Sequence, residues 1–342
     1  MSRAEVETKV LKNSKRYDAI DGLRAFSAMG IVLMHVLANG NYSLDGFVFD
    51  RLIPSFTNLL FLFMIISAFS MCCGYYDKII NNQISMSEFY SKRFAKAWPF
   101  FASLCVLDFI ISPSVNSLRE VFANLTLCFG LLPNAKISVI GVGWFLGLVF
   151  VFYLIFPFFC YLISDNRRAW LAFFVSLGFN LLCADYFGIE RTNFMYSAVF
   201  FFAGGLIFVY RKQLEELCKK HKWVVLGLCV VMTVGYYVFN GTVVLMLILF
   251  SSYLIYALGN TKTSVLLNPI TRFISGISME IYLSHMVIYR VLEKLGVTHL
   301  FGDGMCSYVT ATVGILVGTV VFAVSVKKVE NIMMQPLRAK HI

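Results

Sequence analysis

Charged side chains are scarce in this sequence. They make up 14% of its 342 residues, whereas hydrophobic residues make up 59%. A soluble domain of this size needs far more polar surface to face water. The scarcity of charge therefore excludes most soluble architectures and predicts an integral membrane protein.

The cysteines lack any pattern that would mark a metal site or a disulfide framework. Nine are scattered along the chain, only Cys72 and Cys73 are adjacent, and no CxxC or Cys/His ligand spacing occurs. We therefore interpret the cysteines as apolar packing residues and expect no metal.

A continuous basic face is also missing, although the net charge is +10. Lys and Arg lie in short clusters between apolar runs, which is typical of the cytoplasmic loops of membrane proteins. We expect membrane lipids as the surroundings of this chain and no nucleic-acid partner. The oligomeric state is not readable from the sequence.

Neither a cleavable signal peptide nor a second domain is evident. The first nineteen residues are polar, and no small-residue cleavage pattern follows the first apolar stretch, so the first hydrophobic helix is expected to act as its own insertion signal. No internal repeat is found. We predict a single membrane domain over residues 1–342, with cytoplasmic tails at 1–19 and 327–342.

Long apolar runs, in contrast, are abundant. A spanning helix needs about 20 mostly apolar residues. Ten candidates satisfy this requirement, at residues 20–38, 57–76, 97–113, 139–163, 168–185, 194–210, 223–239, 242–259, 271–291 and 306–326. The shorter run at 121–132 is predicted to be re-entrant or interfacial, because a full span there would invert everything after it.

The distribution of positive charge gives this bundle an orientation. Loops rich in Lys and Arg face the cytoplasm, and here every second loop is basic. The basic segments contain Arg3, Lys9, Lys12, Lys15 and Arg16; Lys78, Lys92, Arg93 and Lys96; Arg167 and Arg168; Arg211, Lys212, Lys219, Lys220 and Lys222; Lys262; and Lys327, Lys328, Arg338 and Lys340. The sequence thus predicts an all-α bundle of about ten transmembrane helices with both termini in the cytoplasm.

Two ionisable residues of the first span call for an explanation, since each costs about 2.5 to 3.5 kcal/mol at the centre of a bilayer. Arg24 and His35 are eleven residues apart, so they share one helix face at a separation of about 16 Å. This geometry suits coenzyme A, which has phosphates at one end and a thioester at the other. Histidine is a suitable base at neutral pH. Alternatively, Arg24 snorkels and His35 makes a buried hydrogen bond.

The stretch RYDAIDGLRA at residues 16–25, followed by His35, resembles the opening signature of the membrane-bound acyltransferase 3 family, whose members modify cell-surface glycans. Four further elements of the family occur in the right order. They are ISAF at 66–69, the basic pair Arg93 and Lys96 before Pro99, WFL at 144–146 with Tyr153 and Pro157, and Ser278, IYL at 281–283 and His285 in a late helix.

The chain departs from the family pattern at three positions. Ala68 stands where Gly is usual, and Lys96 replaces a second Arg, which keeps the charge but loses bidentate phosphate geometry. Val149 stands where many members have a Glu, so we expect no catalytic role at that position.

The resemblance implies roles for the polar residues of the first and third spans. His35 is expected to act as catalytic base or as acyl carrier, and Arg24 to help hold the donor. Arg93 and Lys96 would contact the phosphates of coenzyme A. The alternative for this pair is that the positive-inside rule alone accounts for it.

The late helix is expected to contribute a second histidine. His285 should lie level with His35, as a proton-transfer group, as an acceptor-binding residue or as a structural histidine. The resemblance also suggests Tyr282, Ser278 and Trp144 as substrate-binding residues. Glu280 is about 140° round the helix from His285, so it should face another partner, and the role of Asp108 is open.

These observations favour an acyl-CoA-dependent O-acyltransferase of the cytoplasmic membrane. It would transfer an acyl group, expected to be acetyl from acetyl-CoA, to a hydroxyl of an envelope polysaccharide, oligosaccharide or lipid-linked glycan. Two alternatives remain from the sequence: an exporter of a polysaccharide or lipid-linked sugar, since intramembrane His and Arg also occur in transport pathways, and an inactive scaffold or sensor.

Overall fold

The computed structural model describes residues 17–132, 140–260 and 264–339, and no β-strand occurs in these residues. The helices are α1 (Ala19–Gly40), α2 (Leu59–Ile80), α3 (Met86–Ile111), α4 (Val115–Leu125), α5 (Trp144–Ile163), α6 (Asn166–Gly178), α7 (Phe194–Val209), α8 (Arg211–Lys220), α9 (Lys222–Val238), α10 (Val243–Gly259), α11 (Pro269–Gly276), α12 (Ser278–Lys294) and α13 (Met305–Ala339).

The first helix lies in the interior of the bundle. α1 packs against α2, α10, α11, α12 and α13, because most of its surface is apolar or small. Gly22 allows one of these contacts, since a Cβ there would lie 2.3 Å from the backbone oxygen of Leu266. We call the end of the bundle that holds His35 the histidine end, and the opposite end, which holds Arg24, the arginine end.

Aromatic rings fill the core between α2, α5 and α7. Phe61 stacks on Phe200, and Phe152 stacks on Phe201, each pair with ring centroids 4.4 Å apart. α2 and α7 approach closely at Gly204, where a Cβ would lie 2.2 Å from the carbonyl oxygen of Ile65. Cys72, Cys105, Cys160, Cys218 and Cys229 are buried, as predicted for packing residues.

Within the described residues, five helices are long and apolar enough to cross a membrane: Ala19–Gly40, Val48–Ile80, Met86–Ile111, Gly141–Ile163 and Met305–Val329. A sixth crossing results if α7 and α8, which meet at a 74° bend, form one broken span. α9 and α10 have 17 residues each, about 26 Å, which is short of a 30 Å hydrocarbon core. The chain is therefore a multi-pass membrane protein, and the number of ten spans stays a prediction.

Between α3 and α5, the described residues 112–132 contain no helix long enough to cross the bundle. α4 has 11 residues, too few for a span, and Trp98 in the middle of α3 donates a hydrogen bond to the carbonyl of Leu125 at 2.7 Å. α5 starts again at the histidine end, where Trp144 lies beside Arg191. That residues 121–132 are re-entrant or interfacial stays a prediction.

Some predicted features lie outside the described residues. They are the cations of the N-terminal tail from Arg3 to Arg16, the start of the fourth span at residue 139, Lys262, the side chain of Arg338, and Lys340. Residues 327–339 continue α13 as helix, and their place in a cytoplasmic tail stays a prediction. The orientation of the termini stays a prediction.

Candidate active site

The polar residues of α1 lie in two layers. Because α1 is one continuous helix, Arg24 and His35 share a face and are separated by about 16 Å along its axis, as the sequence predicts. Each meets a different set of side chains, so the layers are described in turn.

At the histidine end, His35 of α1 meets His285 of α12. Their ring centroids are 5.0 Å apart. His285 is 1% exposed, and its Nδ1 lies 2.7 Å from the carbonyl oxygen of Tyr282. A carbonyl only accepts, so this nitrogen carries the proton of a neutral His285. The lone pair is then on Nε2, which is buried and has no hydrogen-bond partner among the described residues.

Arg191 brings a positive charge to this layer, and no motif of the sequence indicated it. It precedes α7, and its guanidinium donates hydrogen bonds to the hydroxyl of Thr57 at 3.0 Å and to the Thr57 carbonyl at 2.7 Å. The guanidinium carbon lies 5.6 Å from the ring centre of Trp144. It is close enough to interact electrostatically with His35 and Tyr282. The sequence did contain a signal for Arg191: it is a single Arg in a loop that is otherwise poor in positive charge.

The other residues predicted for this layer lie at different distances from the two histidines. Tyr282 is buried beside His285, with ring centroids 6.1 Å apart, but its hydroxyl donates to the carbonyl of Val142. Tyr282 therefore holds α12 against the start of α5. Trp144 joins the layer through Arg191. Ser278 does not join it, because its hydroxyl bonds the Ser275 carbonyl at 2.9 Å, two turns before His285.

At the arginine end, the predicted donor-binding cations come together. Arg24 donates to the Ser70 hydroxyl at 2.6 Å and lies 3.5 Å from the Asp21 carboxylate. Arg93 donates to the Tyr75 hydroxyl at 2.5 Å, and its guanidinium carbon lies 5.7 Å from the ring centre of Tyr153. Neither Ser70 nor Tyr75 carries charge, so these contacts leave positive charge in the layer.

Lys96 connects these two arginines. Its ammonium interacts with the charges of Arg24, Arg93, Lys327 and Glu280, yet its side chain is exposed. No hydrogen bond or ion pair of Lys96 occurs within the described part of the chain. Lys96 thus adds a third positive charge beside two guanidiniums, and a group of cations of this kind is suited to an anion.

Glu280 belongs to the same layer. It is 7% exposed and pairs with Lys327 of α13 at 3.0 Å. This agrees with the prediction that Glu280 faces away from His285. The layer then holds Arg24, Arg93, Lys96 and Lys327 against the carboxylates of Asp21 and Glu280, so the cations are in excess.

Asp108, whose role the sequence left open, lies outside both layers. Its carboxylate is 3.8 Å from Arg290, so it pairs with a cation of α12 near the histidine end. No cluster of three or more His, Cys, Asp or Glu that could hold a metal ion occurs among the described residues. The chemistry available here is that of two imidazoles and a guanidinium, about 16 Å from a group of cations.

Comparisons with known proteins identify the family. A family model with the description "Acyltransferase domain", of the acyltransferase 3 family, matches residues 17–327. No curated protein and no solved structure matches the chain. Because the matched residues include both layers of the candidate site and nearly the whole sequence, the chain belongs to the acyltransferase 3 family.

Proposed function

We propose that this acyltransferase moves an acyl group, acetyl from acetyl-CoA in the cytoplasm, to a hydroxyl of an envelope polysaccharide, oligosaccharide or lipid-linked glycan. One observation carries the proposal: a single helix face bears Arg24 among excess cations and His35 beside a second histidine. The separation of about 16 Å suits a donor with phosphates at one end and a thioester at the other.

The donor would bind with its phosphates at the arginine end. Arg24, Arg93 and Lys96 offer N–H donors there, and we place the entry of the donor at Lys96, whose side chain is exposed. The hydrogen bonds of Arg93 to Tyr75 and of Arg24 to Ser70 hold the two guanidiniums in place. The pantetheine arm would then run along α1 towards His35. If the termini are cytoplasmic as predicted, this entry faces the cytoplasm.

At the histidine end, His35 would take the proton of the acceptor hydroxyl. The hydroxyl oxygen then attacks the thioester carbon, the carbon–sulfur bond breaks, and coenzyme A leaves as a thiol after it receives the proton. In a second version, a nitrogen of His35 attacks the thioester carbon first, the carbon–sulfur bond breaks, and coenzyme A leaves as a thiol with the proton of the imidazole. The acceptor hydroxyl then attacks the acyl carbon, the nitrogen–carbon bond breaks, and the hydroxyl proton returns to His35. The Nε2 of His285 is an acceptor for a proton in either version.

Arg191 adds a cation to this chemistry. The negative charge that develops on the carbonyl oxygen of the thioester needs hydrogen-bond donors in a site with little water. The Nε of Arg191 is buried and has no hydrogen-bond partner among the described residues. We assign Arg191 to the stabilisation of this charge.

The first experiment is coenzyme A release by the purified protein in nanodiscs, with acetyl-CoA and an envelope glycan extract. We expect the wild type to release coenzyme A and His35→Ala to lose at least about a hundredfold in rate, the lower bound for general base catalysis. His221→Ala, at an exposed histidine between α8 and α9, is the matched control. Normal turnover of the His35 variant would contradict both versions of the mechanism. Glycan transport into proteoliposomes without a donor would favour an exporter.

A further inference from the structure

A cavity of about 400 Å³ lies on the side of α1 that faces away from the two polar layers. Its walls come from α1, the start of α2, α9 and α10. At 100° per residue, Phe26, Gly30 and Leu33 are about 120° to 180° round the helix from Arg24 and His35. Leu59, Leu249 and other apolar side chains complete the walls. The volume is in the usual range for small-molecule sites.

The cavity opens towards the apolar surface of the bundle. Phe26, which lines it, is 45% exposed. On a helix that crosses a membrane, such an apolar opening faces hydrocarbon chains and not water. The occupant of the cavity is therefore expected to be an apolar chain that enters from the membrane.

A second, polar pocket of about 300 Å³ adjoins this cavity at the histidine end. The two share Ser55, Tyr236 and Tyr237. The hydroxyls of Ser55 and Tyr237 bond each other at 2.8 Å, and Asn58 donates to the Tyr236 hydroxyl at 2.8 Å. These tyrosines mark a border, with apolar walls on one side and hydrogen-bonding groups on the other.

The polar pocket contains both donors and acceptors. Its lining includes Asp50, Arg51 and Asn240, and Arg51 donates to the Asn240 side chain at 2.7 Å. One carboxylate and one guanidinium balance each other, so the pocket is suited to a head group rich in hydroxyls. A head group with net negative charge would need an excess of cations.

We infer that the cavity and the polar pocket together bind a lipid-linked saccharide, with its hydrocarbon chain in the cavity and its sugar in the polar pocket. The inference rests on the proposed function and narrows its acceptor to a lipid-linked glycan. Thr57 connects the two sites, because it lines the polar pocket and accepts both hydrogen bonds from Arg191. The saccharide end is therefore next to the cation that interacts with His35.

The test uses the full chain in nanodiscs and a glycolipid probe with a photoreactive group on a single hydrocarbon chain. We expect the probe to label α1, α9 and α10, and excess unmodified glycolipid to compete, whereas excess phosphatidylglycerol does not. Met29→Trp, which fills the cavity, should reduce labelling about tenfold, because it displaces several methylene groups. Val231→Trp adds the same ring to an exposed position of α9 outside the cavity and is the control.

A kinetic measurement distinguishes failure of this inference from failure of the proposed function. We expect a KM for the lipid-linked acceptor about tenfold lower than for the same saccharide without its chain, and loss of this preference in Met29→Trp. Leu33→Phe replaces Met29→Trp if the latter is not monodisperse. Equal KM values for the two acceptors, or competition by phosphatidylglycerol, would overturn the inference and leave acyl transfer intact. Specific labelling without any acyl transfer would instead overturn the proposed function.

Discussion

Buried polar atoms without hydrogen-bond partners are costly, and among the described residues two of them lie in the histidine layer: Nε2 of His285 and Nε of Arg191. Each costs about 1 to 3 kcal/mol when it is left without a hydrogen bond. Both lie around His35, on different helices or loops of the bundle. A substrate that supplies a hydroxyl proton to one and a carbonyl oxygen to the other would remove this cost, so the arrangement favours binding of the reacting groups.

At this scale Arg191 is the most informative position. We expect Arg191→Met to lower kcat about a hundredfold, the lower range for loss of one donor to a developing oxyanion, with little change in the KM for acetyl-CoA. Arg191→Lys should recover only part of the rate, since an ammonium cannot reproduce the paired contacts to Thr57. Steady-state kinetics of coenzyme A release measure both quantities.

A purely structural role for Arg191 would give a different result. In that case the midpoint of thermal unfolding in detergent would fall, while the kcat of the folded fraction would stay within twofold of the wild type. Arg290→Met, at an exposed ion pair with Asp108, controls for removal of a positive charge near the histidine end.

Lys96 allows a test of donor binding. We expect Lys96→Met to raise the KM for acetyl-CoA about tenfold, as expected for a lost charge-assisted contact of about 1.5 kcal/mol, with kcat retained. Lys96→Arg should bind at least as well as the wild type, because a guanidinium can contact a phosphate with two N–H groups.

The salt dependence of the KM provides a second measurement for Lys96. Higher ionic strength should weaken donor binding by the wild type more than by Lys96→Met, since screening acts on the charge that the variant lacks. Lys78→Met, in the last turn of α2 at the same end, should behave like the wild type. An unchanged KM in Lys96→Met would mean that the cation serves orientation in the membrane only.

At the scale of elements, close helix contacts decide where the side chains meet. α2 carries Ser70, Met71 and Tyr75, which contact Arg24 and Arg93, and α2 is held against α7 at Gly204. Since α7 follows directly on Arg191, the position of this helix affects both layers.

Gly204→Ala should therefore destabilise the protein. Its Cβ would lie 2.2 Å from the Ile65 carbonyl oxygen, and overpacking of this kind costs about 1 to 3 kcal/mol. We expect a lower midpoint of thermal unfolding in detergent. Gly74→Ala, on α2, is the control, because its Cβ meets nothing within 4 Å and alanine favours helix. A midpoint equal to that of the control would show that α2 and α7 can separate without cost.

At the scale of the whole molecule, the orientation in the membrane is open to direct measurement. If both termini are cytoplasmic, a cysteine at Asp45→Cys should react with an impermeant maleimide in intact cells, and one at Lys220→Cys should react only after permeabilisation. Both positions are exposed, at the histidine and arginine ends respectively. Cys306, the exposed native cysteine, is replaced by Ser in both. The reverse labelling pattern would contradict the predicted orientation and the cytoplasmic entry of the donor.

The same scale separates what local sequence predicts from what it does not. The helical content, the common helix face of Arg24 and His35, and the direction of Glu280 away from His285 were all predictable, because each depends on apolar run length or on 100° steps along one helix. The exact set of full crossings was not, because short helices such as α9 and α10 satisfy the apolar criterion before their ends are known.

The sequence by itself determined that this chain is an α-helical membrane protein of the acyltransferase 3 family, because composition, periodicity and motif order are properties of neighbouring residues. Only the tertiary structure decided that His35 meets His285, that Arg191 lies beside them, and that Tyr282 is used to hold α5. These contacts join residues 90 to 250 positions apart, and the packing of α1, α2, α5 and α12 sets them. No local pattern encodes that packing, because many arrangements of apolar helices bury the same surface.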